Sequence, residues 1–124
     1  MNMLRRIKKK ILVAQTKKIT KECRFIEQYI NEHYAEDIDL DLLARVTYLN
    51  KYYLVHAFKN YKGISPINYL IDKRISCAKD LLEQTNYSVS KIAELVGFAS
   101  QSYFSQAFKK DCGITPNQYR KSIK

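Results

Sequence analysis

Two sets of side chains, fifty residues apart, have the types and spacing that hydrogen bonding to the edges of nucleic-acid bases requires. In the later set, Gln101 and Gln106 carry amides that can pair with an adenine edge, and Ser102 and Ser105 lie beside them. In the earlier set, Val55 suits a thymine methyl and His56 can donate to a guanine acceptor, with Lys51 and Tyr52 alongside. Lys59 and Lys109 lie farther along each segment, where phosphate is the nearer partner. Positions 52, 55, 56 and 59, and 102, 105, 106 and 109, share one face of a helix. The bland alternative is an ordinary solvated face, but Val55 beside Tyr52 is not what such a face would carry.

The opposite face recurs. Tyr52 to Tyr69 returns as Ser102 to Tyr119, and Tyr53, Ala57, Phe58, Lys59, Gly63, Ile64, Pro66 and Tyr69 reappear as Tyr103, Ala107, Phe108, Lys109, Gly113, Ile114, Pro116 and Tyr119. Tyr53, Leu54, Ala57 and Phe58 in the first copy, and Tyr103, Phe104, Ala107 and Phe108 in the second, are expected to point inward. The scaffold is duplicated while the outward residues have diverged. A second copy of a mere surface would have no reason to keep its lysine.

The elements that must position these faces are all helical, for the chain holds only three glycines and two prolines and shows no alternating apolar run. About seven helices are predicted. The first spans about Thr20 to Tyr34, with Phe25, Ile26, Tyr29, Ile30 and His33 on one face. The second is capped by Asp39 and runs through Val46; the third is capped by Asn50 and stops near Gly63. Ser65-Pro66 starts a fourth that reaches about Gln84 and is about 27 Å long at ~1.5 Å per residue. Ser88 caps a fifth ending near Gly97, Ser100 a sixth reaching about Asp111, and Thr115-Pro116 starts a short seventh. The second and third helices, and the fifth and sixth, form helix-turn-helix units at about 39–62 and 88–112, joined by a connecting helix at about 66–84. Such a connection could hold two recognition helices about one duplex turn, ~34 Å, apart.

Composition agrees and excludes much else. The 124 residues suit one domain or two very small ones, and a net charge of +10 suits a polyanion, whose phosphates release counterions when neutralised. Cys23, Cys77 and Cys112 are odd in number and have no metal-ligand spacing, as expected of reduced thiols in a cytoplasmic protein. No metal or other cofactor is expected. His33 and His56 are the only histidines, and no nucleophile constellation or glycine-rich phosphate loop occurs, so catalysis is not expected. Residues 1–18 form a basic segment whose apolar run, Ile11 to Ala14, is too short to export the chain or span a membrane. Leu4, Ile7, Ile11 and Ala14 at helical spacing would fit a helix lying on a membrane surface, but the stripe is narrow and a charged helical linker is the simpler account.

The stretch VSKIAELVGFASQSYFSQAFKKDCGITPNQYR, which follows Ser88, closely resembles the signature of the AraC/XylS family of bacterial transcription regulators. The matching pieces are Ile92-Ala93, Gly97-Phe98, Ser100, Tyr103-Phe104, Phe108-Lys109, Gly113, Thr115-Pro116 and Tyr119-Arg120. Arg74-Ile75, Ala78 and Leu81-Leu82 look like the family's connecting helix, and Leu43-Ala44 with Phe58-Lys59 like its first unit. The resemblance covers about Phe25 to Ser122 and implies a sequence-specific DNA-binding domain over residues 19–124, whose two recognition helices enter neighbouring major grooves of double-stranded DNA. It further implies that Tyr52, Val55 and His56, and Gln101, Ser102, Ser105 and Gln106, face bases, and that RNA polymerase is a partner. The first unit departs from the pattern: Tyr48 stands where small residues or glycine are common, Asn50 where serine is usual, and its turn is one residue shorter. Relatives usually carry a sensor or dimerisation domain as well, so the chain is expected to be a stand-alone regulator or the C-terminal piece of a longer one. The rival to base reading is a module that binds nucleic acid or another partner through charge alone, without sequence preference.

Overall fold

No glycine or proline occurs before Gly63, and the first residues are mostly Lys, Arg, Leu and Gln, all good helix formers. The computed structural model describes residues 3–123, apart from the side chains of Val13 and Ala14, and runs one unbroken helix, α1, over Met3–His33. The helix thus begins well before Thr20, because nothing in the basic segment breaks it. The place of the Ala14 side chain in the apolar spacing lies outside the described residues.

The remaining helices start and stop where local chemistry directs: α2 (Leu40–Thr47), α3 (Lys51–Lys62), α4 (Pro66–Gln84), α5 (Val89–Leu95), α6 (Gln101–Cys112) and α7 (Pro116–Ser122). Asp39, Asn50, Ser65, Ser88, Ser100 and Thr115 each accept an amide N–H in the first turn, satisfying a donor that the helix itself cannot. Thr115 and Gln118 close a reciprocal capping box. Each such cap contributes about 1 kcal/mol. Gly63 and Gly113 end α3 and α6 at φ of +90° and +82°, donating their N–H groups to the carbonyls of Lys59 and Lys109 at 2.8 and 2.7 Å.

Two cores form. Cys23, Ile26, Ile30, Leu43, Leu54, Phe58 and Leu70 fill one, and Ile75, Ala78, Leu82, Ile92, Val96, Phe104 and Phe108 fill the other, so α4 serves both. Its first turns close the first unit and its later turns open the second. The duplication therefore reaches beyond the helix-turn-helix pairs. Cys23, Ile26 and Ile30 on α1 have the same spacing as Ile75, Ala78 and Leu82 on α4. Tyr69 donates to Asn31 Oδ1 at 2.7 Å, and its counterpart Tyr119 donates to Glu83 Oε1 at 2.7 Å. That bond pushes the Tyr119 hydroxyl pKa up to about 12. Each unit also has a polar bridge at the matching place: Glu27 pairs with Tyr61 and Lys62 in the first, and Lys79, at the counterpart of Glu27, meets Asp111, at the counterpart of Tyr61, in the second.

The expected inward face of α1 is narrower than its apolar residues suggested. Ile26 and Ile30 are buried together with Cys23, but Phe25 is 48% exposed. Phe25, Tyr29 and His33, one helical turn apart, instead form a partly open ladder of rings along the flank.

The loop after α1 joins the units. Arg74 donates from Nε to the Tyr34 carbonyl at 2.7 Å and from its terminal nitrogen to the Glu36 carbonyl at 2.8 Å. Its guanidinium also lies 5.6 Å from the centre of the Phe98 ring in the second unit's turn. Arg120 holds the end of α4 in a similar way, donating to the carbonyls of Leu82 and Thr85 at 3.3 Å each.

Candidate nucleic-acid interface

Helices α3 and α6 each bury one face and leave the other open. Leu54, Ala57 and Phe58, and Phe104 and Phe108, are buried, while Ala107 is half-buried. Tyr53 and Tyr103 differ from the inward placement expected of them: they are 39% and 47% exposed, because a residue at the edge of the buried stripe turns its ring along the surface. Tyr103 rests edge-on against Phe98, with ring centres 5.3 Å apart.

On α3, Lys51, Tyr52, His56 and Lys59 are exposed and Val55 is half-buried between them. Tyr52 and His56 pack with ring centres 4.2 Å apart and ring planes tilted by 48°, making one aromatic patch one helical turn long. Lys51 is not free: its Nζ lies 2.8 Å from the Asp41 carboxylate on α2. That hydrogen bond and charge pair hold the Asp41 carboxyl pKa below its usual range and raise that of Lys51. On α6, Gln101, Ser102, Gln106 and Lys109 are exposed and Ser105 is half-buried. The candidate side chains thus share the open faces of the two recognition helices, at the same positions in each. Both helices present capped N-termini, where the backbone dipole favours anions.

Gln106 has a second environment. With Tyr103, Ala107, Lys110 and Asp111 on α6, and Ile64, Asn68, Ile71 and Asp72 across from them, it lines a groove of about 510 Å³ between the units. Desolvation, with Asp111 nearby, pushes the Asp72 carboxyl pKa up.

Tyr48 is a candidate that the sequence marked only as a departure from pattern. It sits in the turn of the first unit at φ +58°, a conformation that bulky residues rarely adopt, and it is 96% exposed. The amide after it bonds back to the Ala44 carbonyl at 3.2 Å, as the amide after Gly97 bonds to that of Ala93 at 2.9 Å. Tyr48 therefore stands where the second unit places glycine. An aromatic residue at a turn position that calls for glycine was the available signal.

Residues 43–122 match the family model for a helix-turn-helix domain, nearly the whole of the two-unit arrangement. The chain belongs to the AraC/XylS family. It is 38% identical over 94 residues to the arabinose operon regulatory protein of Escherichia coli (strain K12), covering 75% of this chain and 32% of that protein. It is 34% identical over 115 residues to the probable transcriptional regulator LumQ of Photobacterium leiognathi, covering 92% of this chain and 46% of that one. The AraC-type chain thus spans less than half the length of these curated relatives. Among solved structures, it resembles the C-terminal domain of AraT, a response regulator from Geobacillus stearothermophilus, with 39% identity and a TM-score of 0.79 over 82% of this chain and 84% of that one. It also resembles the DNA-binding domain of the global transcriptional factor AdpA, solved with a target DNA, with 29% identity and a TM-score of 0.77 over 81% and 90% of the two chains.

The cysteines of this AraC-type domain are all free thiols. Burial raises the thiol pKa of Cys23 and of Cys112, which disfavours the reactive thiolate. Among the described residues no helix is long and apolar enough to cross a membrane, and no cluster of His, Cys, Asp and Glu could hold a metal ion.

Proposed function

We propose that residues 19–124 bind double-stranded DNA sequence-specifically, reading two adjacent major-groove segments with α3 and α6, and that the chain regulates transcription in the cytoplasm. The observation that carries this reading is the pairing of two duplicated scaffolds with two open helix faces of unlike chemistry, Tyr52-Val55-His56 on α3 and Gln101-Ser102-Ser105-Gln106 on α6. Membership of a family of transcription regulators, and the DNA complex of AdpA, support it. Lys51, Lys59 and Lys109 serve as phosphate contacts that set orientation. The chain acts by binding and carries no catalytic step. RNA polymerase is the partner through which regulation would act; the curated relatives are longer than this chain, and by the family resemblance a sensor or dimerisation domain is the module that such added length would hold.

Selection from a random duplex pool tests the reading. One enriched site with two unlike halves about a helical turn apart is expected. On that site Gln106→Ala should cost about 1–3 kcal/mol and relax preference, while Lys109→Ala should weaken all duplexes alike and flatten the salt slope by about one. Equal losses on selected and random DNA would favour the rival, binding by charge alone, to which the net charge of +10 lends itself.

A further inference from the structure

The α1 helix passes the elements of both units in order. At its C-terminal end Ala35 meets Gly97 and the Tyr34 carbonyl meets Arg74; toward its N-terminus Asn31 meets Tyr69, Glu27 meets Tyr61 and Lys62, and Lys21, Glu22 and Phe25 share a small groove with Val46 and Thr47. Val46 and Thr47 lead directly into the first unit's turn. The helix over residues 3–18 therefore projects beyond the first unit, on the side away from the second. Residues 3–18 add about 24 Å of helix at ~1.5 Å per residue, the length of about seven base pairs at ~3.4 Å each.

This projecting half is strongly cationic. Arg5, Arg6, Lys8, Lys9 and Lys10 are exposed, no acidic residue precedes Glu22, and among the described residues none of the five is paired with a carboxylate. Elsewhere among the described residues Lys51, Lys62, Lys79 and Lys91 are paired with carboxylates and Lys59, Lys73, Lys109 and Lys110 are not, so what sets the N-terminal half apart is five such cations within six residues and no acidic residue among them. Unpaired charge along one rod suits an evenly charged polyanion, and a duplex spanning α6 and α3 would extend past the first unit on the side to which this half of α1 projects. Self-association along Leu4, Ile7 and Ile11 would bring two such cationic helices together.

We infer that the N-terminal half of α1 is a further DNA contact, lying along the phosphates that flank the first unit's segment and extending the footprint on that side only. The inference rests on the DNA-binding reading above. It adds affinity and salt dependence without adding sequence preference, because phosphates carry no base identity.

The test compares the unaltered chain with a variant carrying R5Q, R6Q, K8Q, K9Q and K10Q together; glutamine keeps helix propensity close to that of the residues replaced. Duplexes would hold the selected site flush at both ends, or lengthened by about ten base pairs at one end or the other. The unaltered chain should bind at least about fivefold more tightly when the first unit's end is lengthened, and gain nothing at the second unit's end. The variant should lose that gain, keep the same ranking of sites, and show a salt slope shallower by about 2 to 4. Equal gains at both ends, no gain at the first, or an unchanged slope would overturn the inference while leaving the DNA-binding reading intact. So would binding of the unaltered chain to phosphatidylserine vesicles without any effect of flank length. Loss of all site preference in the unaltered chain would instead sink the underlying reading, and this inference with it.

Discussion

Gly97 lies so close to Ala35 that a Cβ added to it would come within 2.9 Å of the Ala35 Cα and carbonyl oxygen. The turn of the second unit is thereby seated on the loop that leaves α1, and both partners at the contact are backbone. Gly97 also sits at φ +98°. Gly97→Ala is therefore expected to destabilise the fold by about 2–4 kcal/mol, combining left-handed strain with a clash that no flexible side chain can relieve. Gly63→Ala and Gly113→Ala share the positive φ but meet nothing within 4 Å, so about 1 kcal/mol each is expected. Urea unfolding of the three variants checks the contrast; equal losses would show that the Ala35 contact gives way.

Arg74 is the polar counterpart of that contact. Replacing it by lysine keeps the charge but cannot reach the Tyr34 and Glu36 carbonyls together, so a loss of about 1.5–3 kcal/mol is expected. The matching Arg120→Lys change breaks longer bonds at 3.3 Å and should cost less. Denaturant midpoints of the two variants would settle the order.

Acid should weaken the first unit through Glu27. Its hydrogen bond to Lys62 is the leading cause of a carboxyl pKa lowered in the folded state. A lowered folded pKa contributes stability that is present above the unfolded carboxyl's range and is lost as pH falls through the folded value. The stability gap between the unaltered chain and Glu27→Gln is thus expected to be widest near neutrality and to shrink toward pH 3, as urea unfolding across that range would read. A gap that stays constant would mean that the pair contributes nothing dependent on charge.

The carboxylate of Asp41 pairs with Lys51, and with Lys51 as the proposed phosphate contact it would compete with DNA for that lysine. Asp41→Asn should tighten binding severalfold on every duplex, with a steeper salt slope, by removing a negative charge beside the phosphates and releasing a cation. Fluorescence anisotropy at several salt concentrations would show it, and an effect confined to one sequence would point instead to a changed pose of α3.

Tyr48 is expected to trade stability for contact. Tyr48→Gly should raise stability by about 1 kcal/mol, because glycine takes the left-handed conformation without strain, and should weaken duplex binding severalfold. Unchanged affinity would show that the exposed ring is idle.

Much of this was legible in the sequence because its signals act within a turn or two of helix. A side-chain oxygen at Asn50 or Ser100 reaches only the next amides, and a glycine at position 63 or 113 relieves strain only at itself, so the bounds of α2 to α7 could be read from residue order alone. The spacing that put Val55 with His56, and Ser105 with Gln106, on open faces is equally local. Periodicity blurred at the margins of the buried stripe, where neighbours such as Phe25 and Ile26 are both apolar and only packing separates them. The same margin holds Tyr53 and Tyr103, which the period places inward and packing leaves partly exposed.

By itself, then, the sequence determined helices α2 to α7, their caps, the repeated scaffold and the divergence of its outer faces. The tertiary structure decided how the two copies are joined. That α4 closes one core and opens the next, that α1 repeats its role, and that Arg74 and the Ala35–Gly97 approach seat one unit on the other all depend on contacts between different elements, from Phe58 with Leu70 inside one core to Ala35 with Gly97 between the units. Such contacts have no period and no local propensity; they exist only where folded surfaces meet, and they govern the relative placement of the two reading helices.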